Sequence, residues 1–128
     1  MDIAKDLALI DALCARDFPA EHSGCHTAWL GPGDWPDASD CYAYEAAVVA
    51  RLTERWGEPS RWGTVTLEVR IARGEVIPEP WATLTALAVD VHTWIEPVSR
   101  RHVTLAVADH EEGNQPQLWV AVTESDPP

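Results

Sequence analysis

The sequence has few basic residues. Nine Lys and Arg stand against 21 Asp and Glu among 128 residues, which gives a formal net charge of −12 at pH 7. Because a nucleic-acid interface needs a basic surface to neutralise phosphates, this composition argues against DNA or RNA as the partner. The same shortage argues against anionic membrane surfaces. A basic protein is the compatible partner, since an acidic surface attracts it electrostatically.

Targeting signals and long apolar runs are also missing. No stretch approaches the length of a membrane-spanning helix, and the N-terminus is acidic where a signal peptide would be basic and then apolar. The three cysteines, Cys14, Cys25 and Cys41, are an odd number and form no C-x-x-C pair. We therefore expect free thiols in a reducing cytoplasm.

Motifs of common catalytic sites are absent as well. The sequence contains no G-x-S-x-G motif, and Gly31-Pro32-Gly33 lacks the lysine and helix start of a phosphate-binding loop. Hydrophobic residues make up 46% of the chain and charged residues 23%, which is typical of a folded protein. These features favour a binding protein over an enzyme.

The length fits one domain over residues 1–128, large enough to fold without metal or disulfides. We expect a helical half over 2–57, a sheet half over 63–124 and a frayed tail over 125–128. Seven Trp is a high number for this length, and some of them are expected at a contact surface.

Two helices are predicted in the first half. Apolar residues recur with helical spacing over 2–16 and over 41–56, and Ser39 or Asp40 is a suitable N-cap for the second helix. Gly57 is expected to end that helix. Residues 19–39 are rich in Gly and Pro and are predicted to form a long, at least partly packed loop.

The second half alternates between apolar and polar residues, which indicates strands over 64–71, 84–95, 101–108 and 117–123. Short connections predict an antiparallel meander. The expected fold is therefore α+β, with two N-terminal helices packed on one face of a four-stranded antiparallel meander sheet. The other face is Ala-rich, and we expect it to be shallow and partly open, or covered by the 19–39 loop.

An Arg-Trp-Gly triplet occurs twice at the junction of the two halves, in residues 55–57 and 61–63. The helical stripe places Trp56 in the core. Arg61 and Trp62 are expected at the surface, where Arg and Trp are frequent contact residues.

Polar residues on the Ala-rich face form a further candidate site. Asp90, His92 and Trp94 alternate along one predicted strand, and His102 with Thr104 is expected to face them. A carboxylate beside an imidazole suits acid–base chemistry, but these strands supply no Ser nucleophile. A contact surface is therefore favoured over a catalytic site. The predicted partner-binding residues are Arg61, Trp62, Asp90, His92, Trp94, His102 and Trp119.

A metal site is the alternative for the Cys and His residues. His22, Cys25, His26 and Cys41 supply the four nitrogen and sulfur ligands that zinc prefers. Their spacing is not that of a zinc finger, and the bland interpretation is an incidental loop cluster with Cys41 in the core. No cofactor is therefore expected, with zinc kept as the alternative.

The leading hypothesis is a small acidic cytoplasmic protein that binds a basic protein partner, in the manner of an immunity protein or antitoxin. The first alternative is a small zinc- or ligand-dependent enzyme that uses the His/Cys loop or the face bearing Asp90 and His92. The second is a structural or assembly subunit, in which an exposed edge of the first or last predicted strand forms a homodimer.

Overall fold

A five-stranded antiparallel sheet carries helices on both of its faces. The computed structural model describes residues 3–18, 24–109 and 116–128. Within those residues the elements are α1 (Ile3–Ala15), β1 (Cys25–Leu30), α2 (Ala38–Trp56), β2 (Ser60–Gly63), α3 (Val65–Ala72), α4 (Trp81–Leu87), β3 (Asp90–Ile95), β4 (His102–Ala108) and β5 (Gln117–Thr123). The strand order is β1-β5-β4-β3-β2, and every neighbouring pair is antiparallel. The predicted α+β class is confirmed.

The longest helix begins and ends at capping residues. Asp37 caps the start of α2, because its carboxylate accepts the backbone N–H of Ser39 at 3.0 Å. The predicted stop at Gly57 is confirmed: its φ of 90° is favourable for glycine, and its N–H donates to the Thr53 carbonyl at 2.9 Å. The sequence placed the cap at Ser39 or Asp40, two or three residues too late.

The segment predicted as a loop contains a strand. β1 pairs with β5 from Cys25 opposite Thr123 to Leu30 opposite Leu118, so the prediction of four strands was wrong by one. The six residues of β1 alternate too weakly to identify a strand, and pairing with β5 decides their conformation. Beyond β1, the Gly31 N–H donates to the Asp6 carboxylate at 2.9 Å, which ties this edge of the sheet to α1.

The predicted strand over 64–71 is instead the helix α3. Its alternation is genuine, but in a helix these residues spread over two sides, so Leu67 is 3% exposed while Val65 remains 59% exposed. Leu67 packs with Trp81 and Leu84 of α4 against the sheet. Burial of this cluster overrides the strand propensity of the segment.

The predicted strand over 84–95 is divided between α4 and β3. Leu84 and Thr85 belong to α4, where the Thr85 hydroxyl donates to the Trp81 carbonyl at 2.7 Å. The chain becomes extended at Ala88, and β3 begins at Asp90. With β1 in the first half and two helices in the second, the division into a helical half over 2–57 and a sheet half over 63–124 is wrong.

Each sheet face has its own core. On the first face, α1 and α2 pack against large side chains of the strands: Leu30, Trp94, Val103, Leu105, Val107, Leu118, Val120 and Val122. The second face carries smaller residues such as Ala106 and Ala121, and α3 with α4 covers part of it. In the described part of the chain, α3 and α4 cover this Ala-rich face in place of the 19–39 loop, and the face stays partly open, as expected.

The two edge strands are β1 and β2. The last predicted strand, now β5, lies between β1 and β4 and is not an edge, which contradicts its suggested role in a homodimer. The first predicted strand is a helix. β2 is only four residues long and pairs with β3, which limits the unpaired backbone at this edge.

Candidate functional site

The predicted contact residues do not form one surface. Trp119 is 5% exposed and packs beneath α4, so it is a core residue and its prediction as a contact residue was wrong. The remaining six divide equally between two clefts. Arg61, Asp90 and His92 line a small cleft, and Trp62, Trp94 and His102 line a large one.

The register of β3 and β4 shows which of these side chains share a face of the sheet. His92 lies opposite Leu105 and Trp94 opposite Val103, so both point toward α2. His102 lies opposite Ile95 and points to the other face of the sheet. The expectation that His102 faces Asp90 and His92 was therefore wrong, because a residue shares a face with its directly opposed partner.

Strand β2 separates the two clefts. Successive side chains of a strand point to opposite faces, so Arg61 reaches the small cleft and Trp62 the large one. The prediction that both are surface contacts is compatible with their partial or full exposure. Trp56, assigned to the core from the sequence, packs partly buried against the first core and also lines the large cleft.

The small cleft, which we call the carboxylate cleft, lies between α2 and the ends of β3 and β4. Its volume is about 130 Å³. Its polar lining residues are Tyr42, Glu45, Arg61, Asp90, His92 and Asp109. The Tyr42 hydroxyl donates to the Asp109 carboxylate, which fixes the position of that carboxylate and raises the pKa of the phenol, together with burial of the phenol. Three carboxylates thus converge here beside one arginine.

Glu45 is the most perturbed of these carboxylates. Burial against α2 and the sheet, reinforced by the negative charges of Asp90 and Asp109, raises its pKa from 4.5 to about 7. Arg61 acts in the opposite direction without cancelling the effect. The cleft therefore holds more negative charge than its own cation offsets.

His92 forms the buried wall of the carboxylate cleft. It is 8% exposed, and its Nδ1 is buried without a hydrogen-bond partner among the described residues. Burial, then the charge of Arg61, lowers its pKa below 6.5 against the opposing effect of Asp90, so the imidazole is neutral at pH 7. Its ring stacks on the Trp94 indole at 6.1 Å between centroids. A buried ring nitrogen without a partner is a site for a ligand group.

The large cleft, which we call the tryptophan cleft, opens on the other side of β2. Its volume is about 540 Å³. The aromatic and ionisable residues that line it are Trp56, Glu58, Trp62, Trp94, His102 and Asp126. The Trp62 Nε1–H donates to the Thr93 hydroxyl at 3.0 Å, and the Trp94 Nε1–H donates to the Gly57 carbonyl at 3.1 Å. These bonds fix two of the indoles in place.

Residues 126–128 form one wall of the tryptophan cleft, although we expected the tail over 125–128 to fray. His102 Nδ1 lies 3.1 Å from a carboxylate oxygen of Asp126. The Thr123 hydroxyl donates to the Ser125 carbonyl at 2.9 Å. These contacts hold Pro127 beside the indoles at the edge of the cleft.

Sequence reasoning missed Glu45, Tyr42 and Asp109 as site residues. A signal was present in Glu45, because it falls on the apolar stripe of α2 between Tyr42 and Val49. A carboxylate at such a position is either paired or functional. Asp109 gave no comparable signal, since it directly follows β4 at the start of a polar segment.

The predicted metal ligands are not assembled among the described residues. Cys25 and His26 are successive residues of β1 and point to opposite faces, while Cys41 is buried in the core beneath α2. His26 Nε2 lies 3.2 Å from the Asp17 carbonyl. No group of three or more His, Cys, Asp or Glu is placed to hold a metal within residues 3–18, 24–109 and 116–128. His22 lies outside these residues.

Cys14 and Cys41 are free thiols, as expected. None of Cys14, Cys25 and Cys41 forms a disulfide. Burial is the main cause that raises the pKa of the Cys14 and Cys41 thiols from 9.0 to about 11, so both are poor nucleophiles at neutral pH. In the described part of the chain, no helix has the length and apolarity to cross a membrane.

Comparisons with protein-family models, with curated proteins and with solved structures found no match. We therefore infer the function from the carboxylate cleft and the tryptophan cleft.

Proposed function

We propose that this chain is a binding protein for a basic protein partner, and that the carboxylate cleft receives a Lys or Arg side chain of that partner. One observation carries the proposal. Glu45, Asp90 and Asp109 converge on a cleft in which Arg61 is the one positively charged residue among those that the structure describes, and the pKa of Glu45 rises to about 7 as a result of burial and this crowding. A cation that enters the cleft relieves the repulsion.

The dimensions and chemistry of the carboxylate cleft support a side chain as its ligand. A volume of about 130 Å³ is below the range of sites for drug-sized molecules and accommodates one side-chain head group. A guanidinium or ammonium donates several N–H groups, and the cleft offers carboxylate oxygens as acceptors. Arg61 is exposed, so the incoming cation can displace it toward solvent.

The net charge of −12 supports the same partner, because it accelerates association with a basic protein. In its specific form, the proposal is an inhibitor of a basic toxin or nuclease that acts in the cytoplasm. The free thiols are compatible with a reducing compartment. The absence of catalytic sequence motifs favours inhibition by occupancy over a chemical step.

Partner capture with charge-matched variants tests the proposal. The immobilised wild-type chain is compared with the cleft variant Glu45→Gln/Asp90→Asn. The control variant, Glu54→Gln/Glu68→Gln, removes the same number of carboxylates from exposed positions outside the cleft. We expect the wild type to capture a basic protein in a salt-sensitive manner. The cleft variant should bind at least about tenfold more weakly, and the control should stay within about twofold.

Two results would contradict the proposal. Equal losses in the cleft and control variants would show that overall charge, and not this cleft, attracts the partner. Capture of an acidic or neutral protein that is insensitive to salt would exclude the proposed chemistry.

The pH dependence provides an independent check. A bound cation lowers the pKa of Glu45 from about 7, so binding must release a proton and strengthen as pH rises. If the pKa of Glu45 returns to about 5 in the complex, affinity increases about tenfold between pH 6 and pH 8. Calorimetry in buffers of different ionisation enthalpy measures the released proton, and Glu45→Gln should abolish it.

A further inference from the structure

We propose that the tryptophan cleft is a second, independent site, which binds a small organic cation whose charge is shielded by apolar groups, such as a quaternary ammonium. The proposal does not depend on the carboxylate cleft. Its volume of about 540 Å³ falls within the range of pockets that enclose small molecules, about 300–1,000 Å³.

The aromatic lining is the first observation. Trp56 and Trp62 line the cleft, and the buried Trp94 ring packs edge-on behind Trp56, with the ring planes at 69° and the centroids 6.5 Å apart. Indole is the aromatic ring that attracts cations most strongly. Trp56 already does so within the chain, since the Arg55 guanidinium lies 5.6 Å from its ring centroid.

The charge of the lining is the second observation. Glu58 and Asp126 are the acidic residues of the cleft, and no Lys or Arg lines it among the residues that the structure describes. His102 is the one other ionisable group in that lining, and it already faces Asp126 at 3.1 Å. Such a lining repels anions and favours a cation.

The apolar part of the lining selects the type of cation. The Trp62 indole donates its N–H to Thr93 and therefore presents apolar surface to the cleft, as do Leu67 and Ile95. A primary ammonium brings three donors that must be satisfied, whereas a quaternary ammonium brings none. A cation without N–H groups therefore loses the least when it leaves water for this cleft.

A pair of isosteric probes tests the role of charge. Choline and 3,3-dimethylbutan-1-ol have the same shape, but only choline is charged. In titrations followed by the indole N–H signals of the ¹⁵N-labelled protein, we expect choline to shift the signals of Trp56 and Trp62 saturably. The neutral alcohol should bind at least about tenfold more weakly. Equal binding of the two probes, or shifts confined to other tryptophans, would overturn the proposal.

A matched pair of tryptophan variants tests the location. Trp62→Leu should weaken choline binding at least about fivefold. Trp29→Leu is the control, because Trp29 is 53% exposed on β1 and lies outside the cleft. Equal losses in both variants would place the probe elsewhere.

A charge variant keeps the test informative if Trp62→Leu is poorly folded. Glu58→Gln changes one exposed side chain and leaves the contact between His102 and Asp126 in place, and it should weaken choline binding about twofold without lowering the melting temperature. Unchanged affinity in this variant would exclude the proposed charge selection. A peptide that contains trimethyllysine, titrated in parallel, distinguishes a modified protein from a free small molecule as the source of the cation.

Discussion

The two clefts that flank β2 attract cations by different physical means. The carboxylate cleft uses the negative charges of two exposed aspartates beside the partly buried Glu45, and the cost of this crowding is visible in the Glu45 pKa of about 7. The tryptophan cleft uses indole rings, which attract a cation without needing to be ionised. The first is therefore sensitive to pH and salt, whereas the second depends on surface area and shape.

A single edge strand, β2, lies between the two types of cleft. Arg61 and Trp62 are neighbours in the chain, yet they serve different clefts because β2 alternates. Trp94 is close to both clefts: its buried ring stacks on His92, and the residue also belongs to the lining of the tryptophan cleft. Three predictions test which properties depend on Trp94 and which belong to only one cleft.

Removal of the shared wall should have the largest effect. Trp94 is 2% exposed, so Trp94→Ala leaves a cavity and should lower the free energy of unfolding by about 3–5 kcal/mol. Urea unfolding measures this loss, and both clefts should lose their ligands together. The exposed Trp29→Ala should cost less than about 1 kcal/mol. Retention of either binding activity in a folded Trp94→Ala protein would show that the clefts do not share this support.

Neutralisation of Glu45 should change how the stability of the protein depends on pH. Its pKa is raised from 4.5 to about 7 in the folded state, so the wild-type protein loses stability as pH rises from 4.5 to 7. Glu45→Gln removes this loss and should stabilise the free protein by roughly 2 kcal/mol at pH 8, after allowance for partial hydration. Below pH 4.5 the two proteins should be equally stable. Thermal unfolding across this range measures the difference, and a constant difference at all pH values would contradict the assignment.

Removal of Arg61 should have the smallest effect, and it should strengthen binding in the carboxylate cleft. Arg61 partly offsets the carboxylates, so Arg61→Ala should raise the Glu45 pKa further and strengthen binding of an arginine amide probe about threefold. Choline binding in the tryptophan cleft should remain unchanged, although Trp62 is the adjacent residue. NMR titration of both probes into one sample provides this comparison. Weaker binding of the arginine probe would make Arg61 a ligand-contacting residue and not a competitor.

The parts of the fold that were predicted correctly have strong local signals. The end of α2 at Gly57 follows from glycine and a nearby proline, and β4 and β5 follow from uninterrupted alternation with buried faces. The errors at α3 and β1 have a common cause. Each segment takes the conformation that its neighbours require: α3 buries Leu67 over the Ala-rich face, and β1 completes the edge beside β5.

The candidate site was predicted only in part for a related reason. Asp90, His92 and Trp94 were identified from alternation, and the structure places the first two beside a cleft. Their partners come from α2, not from His102, because strand register and helix packing are set by tertiary contacts that the sequence does not display. Glu45, a charged residue on the apolar stripe of α2, was the signal in the sequence that could have identified the other side of this cleft.

The alternating sequence of α3 has a consequence for the unfolded chain. Residues 64–71 have the composition of a strand and directly follow β2, so loss of the Leu67 contacts would free a longer edge segment with apolar residues on one side. Such segments pair between molecules, and an antiparallel pairing can place Glu68 of one molecule opposite Arg70 of another, so that opposite charges meet. We therefore expect aggregation on heating to begin at α3, and the burial of Leu67 to set the solubility limit of the protein.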